Sequence, residues 1–267
     1  MGFSTPVRAA APGLNLSGRF VQGGMVVGRT APRASVLLND APITQASADG
    51  WFVIGFDRDA PPPAVIKVET ADGSASHQAT IAPGTFDIQR IDGLAQDQVA
   101  PSDPVLLARI AAEGGRKSLG FASRLDDDFF RTGFIWPVQA TRRSSSFGGQ
   151  RVLNGEPKRP HYGVDLAAPT GTRVVAPAGG VVSFAETGLH FEGGLILIDH
   201  GQGLITAYLH LSRIDVAAGQ RVAQGQLIGA VGQAGRATGP HLCWRMKWRD
   251  QNLDPSLMVG LKAGPHA

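Results

Sequence analysis

The chain has 267 residues, 43% hydrophobic and 18% charged, with a formal net charge of +3 and a pI near 9.3. No apolar run approaches the ~20 residues a membrane helix needs, which argues against a helical span. The basic residues are diffuse, with no block longer than Arg142-Arg143, and aromatics make up 7%, so a nucleic-acid platform has little support. The mild basicity by itself favours an anionic partner, such as a cell-wall polymer or nucleic acid.

With 35 glycines and 18 prolines the chain reads as many short strands joined by tight turns, a mainly all-β protein. Residues 1–12 are expected to be a flexible tail. Met1–Gly13 has no apolar signal-peptide core, and Pro6 breaks the acylation pattern that Met1-Gly2 opens, so a cytoplasmic protein and a processed exported one both stay open. Residues 13–85 predict a small β-sandwich: Ser35–Leu38, Trp51–Phe56 and Val65–Glu69 are β-rich, Asn39-Asp40, Asp49-Gly50 and Asp72-Gly73 are turn signals, and the Asp-Gly pairs suit tight hairpins. His77 reads as a surface residue of that domain.

Residues 86–133 read as a connector with one helix from Pro104 to Glu113, capped by Ser102 or Asp103 and stopped by Gly114-Gly115. The run Asp126-Asp127-Asp128 reads as a solvated turn rather than a metal site. Residues 134–260 return to strands as an antiparallel β-domain, followed by a tail over 261–267. Here Pro169–Val182 and Val216–Gly229 echo each other in glycine and strand spacing, a weak internal repeat.

This last domain holds His161, His190, His200, His210 and His241, and the only cysteine, Cys243. In a strand, residues i and i+2 share a face, so His241 and Cys243 project together. With His161 and Asp165 upstream, a metal site follows, and zinc is the first candidate for nitrogen, oxygen and sulfur ligands. His200, between an apolar strand and a Gly-x-Gly turn, reads as structural. His190 lies on an expected loop, where a structural role and a substrate contact are both open. Trp244, Met246 and Trp248 alternate as a core-facing row.

The run from about Phe147 to Pro255 resembles the lysostaphin-like (LytM-type) zinc metallopeptidases. The resemblance rests on His161-Tyr162-Gly163-Val164-Asp165, Tyr208-Leu209-His210-Leu211 and Gly239-Pro240-His241-Leu242-Cys243, with similar glycine turns between them. It implies a β-domain of the duplicated hybrid motif type and hydrolysis of peptide cross-links in bacterial peptidoglycan, with Zn²⁺ as cofactor. It also implies a periplasmic or extracellular location. Peptidoglycan peptide stems would be the partner, with a regulatory protein open as a second.

By that resemblance His161 and Asp165 are zinc ligands, and His210 and His241 are catalytic. His241 would be the general base and His210 the oxyanion donor. The third ligand position, a histidine in the resembling enzymes, is Cys243 here. One neutral imidazole, one carboxylate and one thiolate cancel the charge of Zn²⁺, where a His-Asp-His set leaves +1, so the ion would acidify water less. Arg151 and Asn154, just upstream of His161, are expected to line the substrate groove. The alternative is a weak or inactive module that binds cell wall or activates another hydrolase. A biotinyl- or lipoyl-type carrier is nearly closed, because no lysine lies between Lys158 and Lys247.

Overall fold

The computed structural model describes residues 11–140 and 142–261. The expected tails therefore fall outside the described residues except for Ala11, Pro12 and Leu261, and so does His266. Among the described residues no helix is long and apolar enough to cross a membrane.

Turn chemistry builds the N-terminal part. Asn39 and Asp40 take φ of +50° and +64°, joining Ser35–Leu38 to Ala41–Gln45 by a two-residue turn whose twist matches its strands. One sheet holds Asn15–Gly18, Met25–Arg29 and Trp51–Gly55. A second holds Ala41–Gln45, Ser35–Leu38, Ala64–Thr70 and Gly73–Ala79, and His77 is exposed on it. Val26, Phe52, Ile54, Ile66 and Val68 lie in one apolar cluster, which also takes in Leu204, Met246, Trp248 and Leu253 from the C-terminal part. The approach is close at Gly55, where a Cβ would lie 2.8 Å from Leu253 Cδ2 and 3.0 Å from Trp248 Cβ. The N-terminal sheets thus sit on the far end of the strand that begins at His241.

The segment expected as a helical connector contributes a strand as well. Ile88–Ile91 pairs in parallel with Gln150–Leu153, about sixty residues later. The helix begins as read, with the Asp103 side chain accepting from Leu106 N at 2.9 Å and Pro104 in the first turn. Its expected stop at Gly114-Gly115 is corrected, because the helix runs Pro104–Phe121. Each interior glycine costs about 1 kcal/mol against alanine. Contacts farther along offset that cost: Lys117 Nζ meets Glu192 Oε1 at 2.7 Å, and Arg116 meets Glu186 at 2.9 Å. The inner face is also not the apolar one, since Val105 is 77% exposed while Glu113 is buried and accepts from His190 N at 2.9 Å.

Gly120 lets the last turn touch the sheet, for a Cβ there would lie 2.8 Å from Phe184 Cβ and 2.9 Å from Leu197 Cδ1. Gly120→Val is expected to destabilise the fold by about 1–3 kcal/mol, read as a fall of several degrees in Tm. An unchanged Tm would show that this turn is not held against the sheet.

The C-terminal part is built on an eight-stranded antiparallel sheet in the order Arg221–Val222, Gly180–Leu189, Gly193–Asp199, Leu204–Leu211, His241–Trp248, Val164–Ala167, Arg142–Ser145, with Gln251–Leu253 added to His241–Trp248, and on a separate three-stranded sheet of Arg173–Val175, Leu227–Ala230 and Arg213–Ile214. The internal repeat has a structural meaning. Arg173–Val175 from the first copy pairs with Leu227–Ala230 of the second, while Gly180 and Val181 of the first pair with Arg221–Val222 of the second. Each copy's short strand thus closes on the other's longer one, and Val174, Val182, Val222 and Ile228 are buried together between them. The carboxylates of Asp126, Asp127 and Asp128 diverge to Arg33 at 2.6 Å, Arg221 at 3.2 Å and Arg131 at 3.3 Å.

Candidate metal centre

Strand register assembles the site. Asp165 stands directly opposite Cys243 on the neighbouring antiparallel strand, and Cys243 stands opposite Leu209 on its other side. Directly opposed residues share a face of the sheet, so Asp165 and Cys243 rise together. His161 precedes the Asp165 strand and is pinned by two backbone bonds, Gly148 N to His161 O at 2.7 Å and His161 N to Gly149 O at 2.8 Å. Between them, a Cβ on Gly163 would lie 2.7 Å from Arg245 Cγ and 3.2 Å from Cys243 Sγ. A residue larger than glycine would push into both side chains.

His161 Nε2 lies 3.1 Å from Asp165 Oδ1 and 3.8 Å from Cys243 Sγ, and the three potential ligand atoms lie within 4.8 Å of one another. All three residues are buried. Asp165 Oδ1 has no hydrogen-bond partner, so a buried acceptor faces a nitrogen and a sulfur with its lone pairs free. Among the described residues this is the one such cluster.

His210 reaches the site by an irregularity. Strict alternation would put it on the face of Tyr208, whose ring is buried in the opposite core. The register to the neighbouring strand shifts between Gly194 and Ile196, and His210 takes φ of +66°, which turns its ring toward the ligands. Its Nδ1 bonds to Ala234 O at 2.8 Å, and His241 Nδ1 bonds to Gly239 O at 2.8 Å. A ring nitrogen facing a carbonyl carries a proton, so in the neutral form of each ring Nε2 is the nitrogen that keeps a lone pair. The rings stand 4.7 Å apart, and His241 Nε2 lies 3.8 Å from Asp165 Oδ1.

The electrostatics follow from burial. It pushes His161 down to about 4 and His210 down to about 3, the latter helped by neighbouring His241, so both are neutral near pH 7. Burial acts to raise the Asp165 carboxyl, yet His161, His241 and Arg151 together hold it well below the usual carboxylate range. Burial pushes the Cys243 thiol up to about 12, with Asp165 adding to the rise.

The cleft above these residues has a volume of about 140 Å³, and its walls include Arg151, His161, Asp165, His210, His241 and Cys243. Arg151 lines it, with Nη2 3.4 Å from Asp165 Oδ2. Asn154 is not brought to the cleft. It takes φ of +47° in a turn, and its side chain clasps the backbone of Leu94, accepting from N at 3.1 Å and donating to O at 2.8 Å. Leu94 itself lines the cleft. His200 is structural, with Nδ1 on Gly179 O at 2.6 Å and Nε2 on Thr206 Oγ1 at 2.7 Å. His190 fastens the helix through Glu113 and meets Asp97 O at 3.2 Å. Two cleft residues went unread in the sequence, Arg236 and Arg245. The alternation that pairs His241 with Cys243 reaches Arg245 two residues on, whereas Arg236 sits in a loop without such a signal.

A histidine, a carboxylate and a cysteine thiol thus converge at the base of a cleft in the β-domain, a donor set that could hold a metal ion. Residues 159–255 match peptidase family M23, and the chain belongs to that family. A peptidoglycan DD-endopeptidase of Vibrio cholerae, ShyA, is 43% identical over 114 residues, which is 42% of this chain and 26% of that protein. The DD-carboxypeptidase/endopeptidase Mpg of Neisseria meningitidis is 40% identical over 121 residues, 45% of this chain and 28% of that one. The chain spans about a quarter of the length of these curated relatives. A solved Pseudomonas aeruginosa structure assigned to peptidase M23 is 29% identical with a TM-score of 0.67, covering 91% of this chain and 96% of that one.

Proposed function

We propose that the chain is a zinc-dependent endopeptidase that hydrolyses peptide cross-links of bacterial peptidoglycan, acting in the periplasm or outside the cell. The observation that carries this reading is the convergence of His161 Nε2, Asp165 Oδ1 and Cys243 Sγ beneath two histidines with free Nε2 atoms. The activity of the relatives ShyA and Mpg supports the substrate class.

The donor set of nitrogen, oxygen and sulfur fits zinc, and a buried carboxylate oxygen without a hydrogen-bond partner suits a ligand atom. His161, Asp165 and Cys243 would hold the ion. When bound, it supplies Lewis acidity toward water and a peptide carbonyl. His241 then accepts the proton of the attacking water at Nε2, while the water oxygen bonds to the scissile carbonyl carbon. Neutral His210, anchored through Nδ1, presents an acceptor rather than the donor an oxyanion needs, so it orients the water or the amide N–H. The neighbouring His241 ring, 4.7 Å away, helps to keep His210 neutral. The proton taken up by His241 then passes to the departing amine as the C–N bond breaks.

His210→Ala and His241→Ala are each expected to keep the metal and lose at least about 100-fold in turnover. A metal-free variant would mean that the altered histidine is a ligand. The reading as a whole is tested by digesting purified peptidoglycan. The expected result is conversion of cross-linked dimers to monomers, stopped by chelator and restored by zinc. Dimers left intact by zinc-loaded protein would turn the reading toward a module that binds wall or activates another hydrolase.

A further inference from the structure

The cleft carries more positive charge than its ligands require. Arg151, Arg236 and Arg245 line it with Asp165 and Glu192, and Glu192 is already engaged by Lys117 at 2.7 Å. Four cations thus face two carboxylates before any metal is added. Arg151 shares Asp165, and its Nε is buried without a partner. Among the described residues neither Arg236 nor Arg245 has a carboxylate within 4.0 Å. Arg245 donates from Nε to Cys243 Sγ at 3.4 Å, and its stem fills the room that Gly163 leaves. Arg236 is fixed by Nη1 on Gln98 O at 3.1 Å and by the Phe191 ring 4.8 Å beneath it.

Guanidinium groups held in a cleft without a carboxylate are costly unless a ligand's charge compensates them. A planar, bidentate anion such as a carboxylate matches the guanidinium fork best. Arg245 stands two residues along the strand from Cys243, a distance of about 7 Å between α-carbons. A carboxylate held there belongs to a residue adjoining the bond under attack. We propose that Arg245, with Arg236 beside it, selects substrates carrying a free carboxylate on a residue that adjoins the scissile bond. This specificity rests on the peptidase reading above.

Two substrate pairs distinguish the sources of such a carboxylate. The first is an N-acylated tripeptide ending in two D-alanines, as the free acid and as the C-terminal amide. The second is a cross-linked peptide in which the D-alanine carbonyl acylates the side-chain amine of either diaminopimelate, which carries a free carboxylate beside that amine, or lysine, which lacks it. Zinc-loaded protein is expected to favour the carboxylate member of at least one pair by about tenfold or more in kcat/KM. Arg245→Gln should bring that ratio toward one. Because Arg245 touches Cys243, Arg236→Gln is measured alongside, and it should reduce the same ratio with the metal content kept.

Binding of the same pairs to chelated protein, followed by NMR titration, separates the two levels of the argument. Carboxylate-dependent binding that Arg245→Gln removes would uphold the subsite even if no peptide were cut. Hydrolysis of both members of each pair at equal rates would overturn the subsite and leave the peptidase reading intact. Equal losses on both members in Arg245→Gln would likewise overturn it, assigning the arginine to support of Cys243.

Discussion

Asp165→Ala is expected to release the metal and abolish hydrolysis together. The Asp165 carboxylate is the one formal negative charge that the metal-free ligand set carries near pH 7, because His161 is neutral there and Cys243 is a protonated thiol. Truncating it leaves one imidazole and one thiol beneath Arg151, which would then repel the cation without a carboxylate to balance it. Residues that only support a metal ligand cost 10–100-fold in affinity when removed, so loss of a ligand should cost about 1,000-fold or more. Metal content after dialysis and digestion of peptidoglycan check this result. A variant that keeps stoichiometric zinc would move the carboxylate out of the ligand set.

Zinc affinity is expected to rise about tenfold per pH unit between pH 6 and 8, with one proton released per ion bound. The sign follows from the metal-free protonation states. Cys243, pushed up to about 12, holds its proton over this whole range, and a coordinating thiol loses it. His161 is pushed down to about 4 and has already lost its proton, and Asp165 has too, so neither adds to the slope. Calorimetry in buffers of different ionisation enthalpy counts the proton directly. Cys243→His should flatten the dependence above about pH 6.5, where an ordinary imidazole is neutral. A wild-type slope near zero would mean that sulfur is not bound. Iodoacetamide gives a second readout, since holo-protein should resist alkylation and chelated protein should be more reactive.

Much of this site was legible because it rests on short-range periodicity. The two-residue repeat of a strand places His241 with Cys243, and the register opposite Asp165 brings the upstream motif to the same face. His210 was reached through resemblance instead. Its strand reads with Tyr208 and His210 on one side, and only the bulge opposite Leu195, with the left-handed backbone at His210, sends the two rings to different faces. Alternation cannot reveal a bulge whose cause lies on the neighbouring strand.

The other differences also come from distant partners. Ile88–Ile91 is too short to declare itself and becomes a strand because Gln150–Leu153 lies beside it. Gly114-Gly115 reads locally as a stop, yet the pairs from Arg116 and Lys117 to Glu186 and Glu192 carry the helix on. Closeness to His161 in sequence points Asn154 toward the groove. Its turn instead directs the side chain to Leu94, so its contribution is to the wall of the cleft.

The ligand set is tested most directly by zinc-edge X-ray absorption on the purified, unmodified protein. The account predicts one sulfur at about 2.3 Å together with nitrogen and oxygen at about 2.0–2.2 Å. A shell of nitrogen and oxygen alone, or a protein that takes up no zinc, would contradict it.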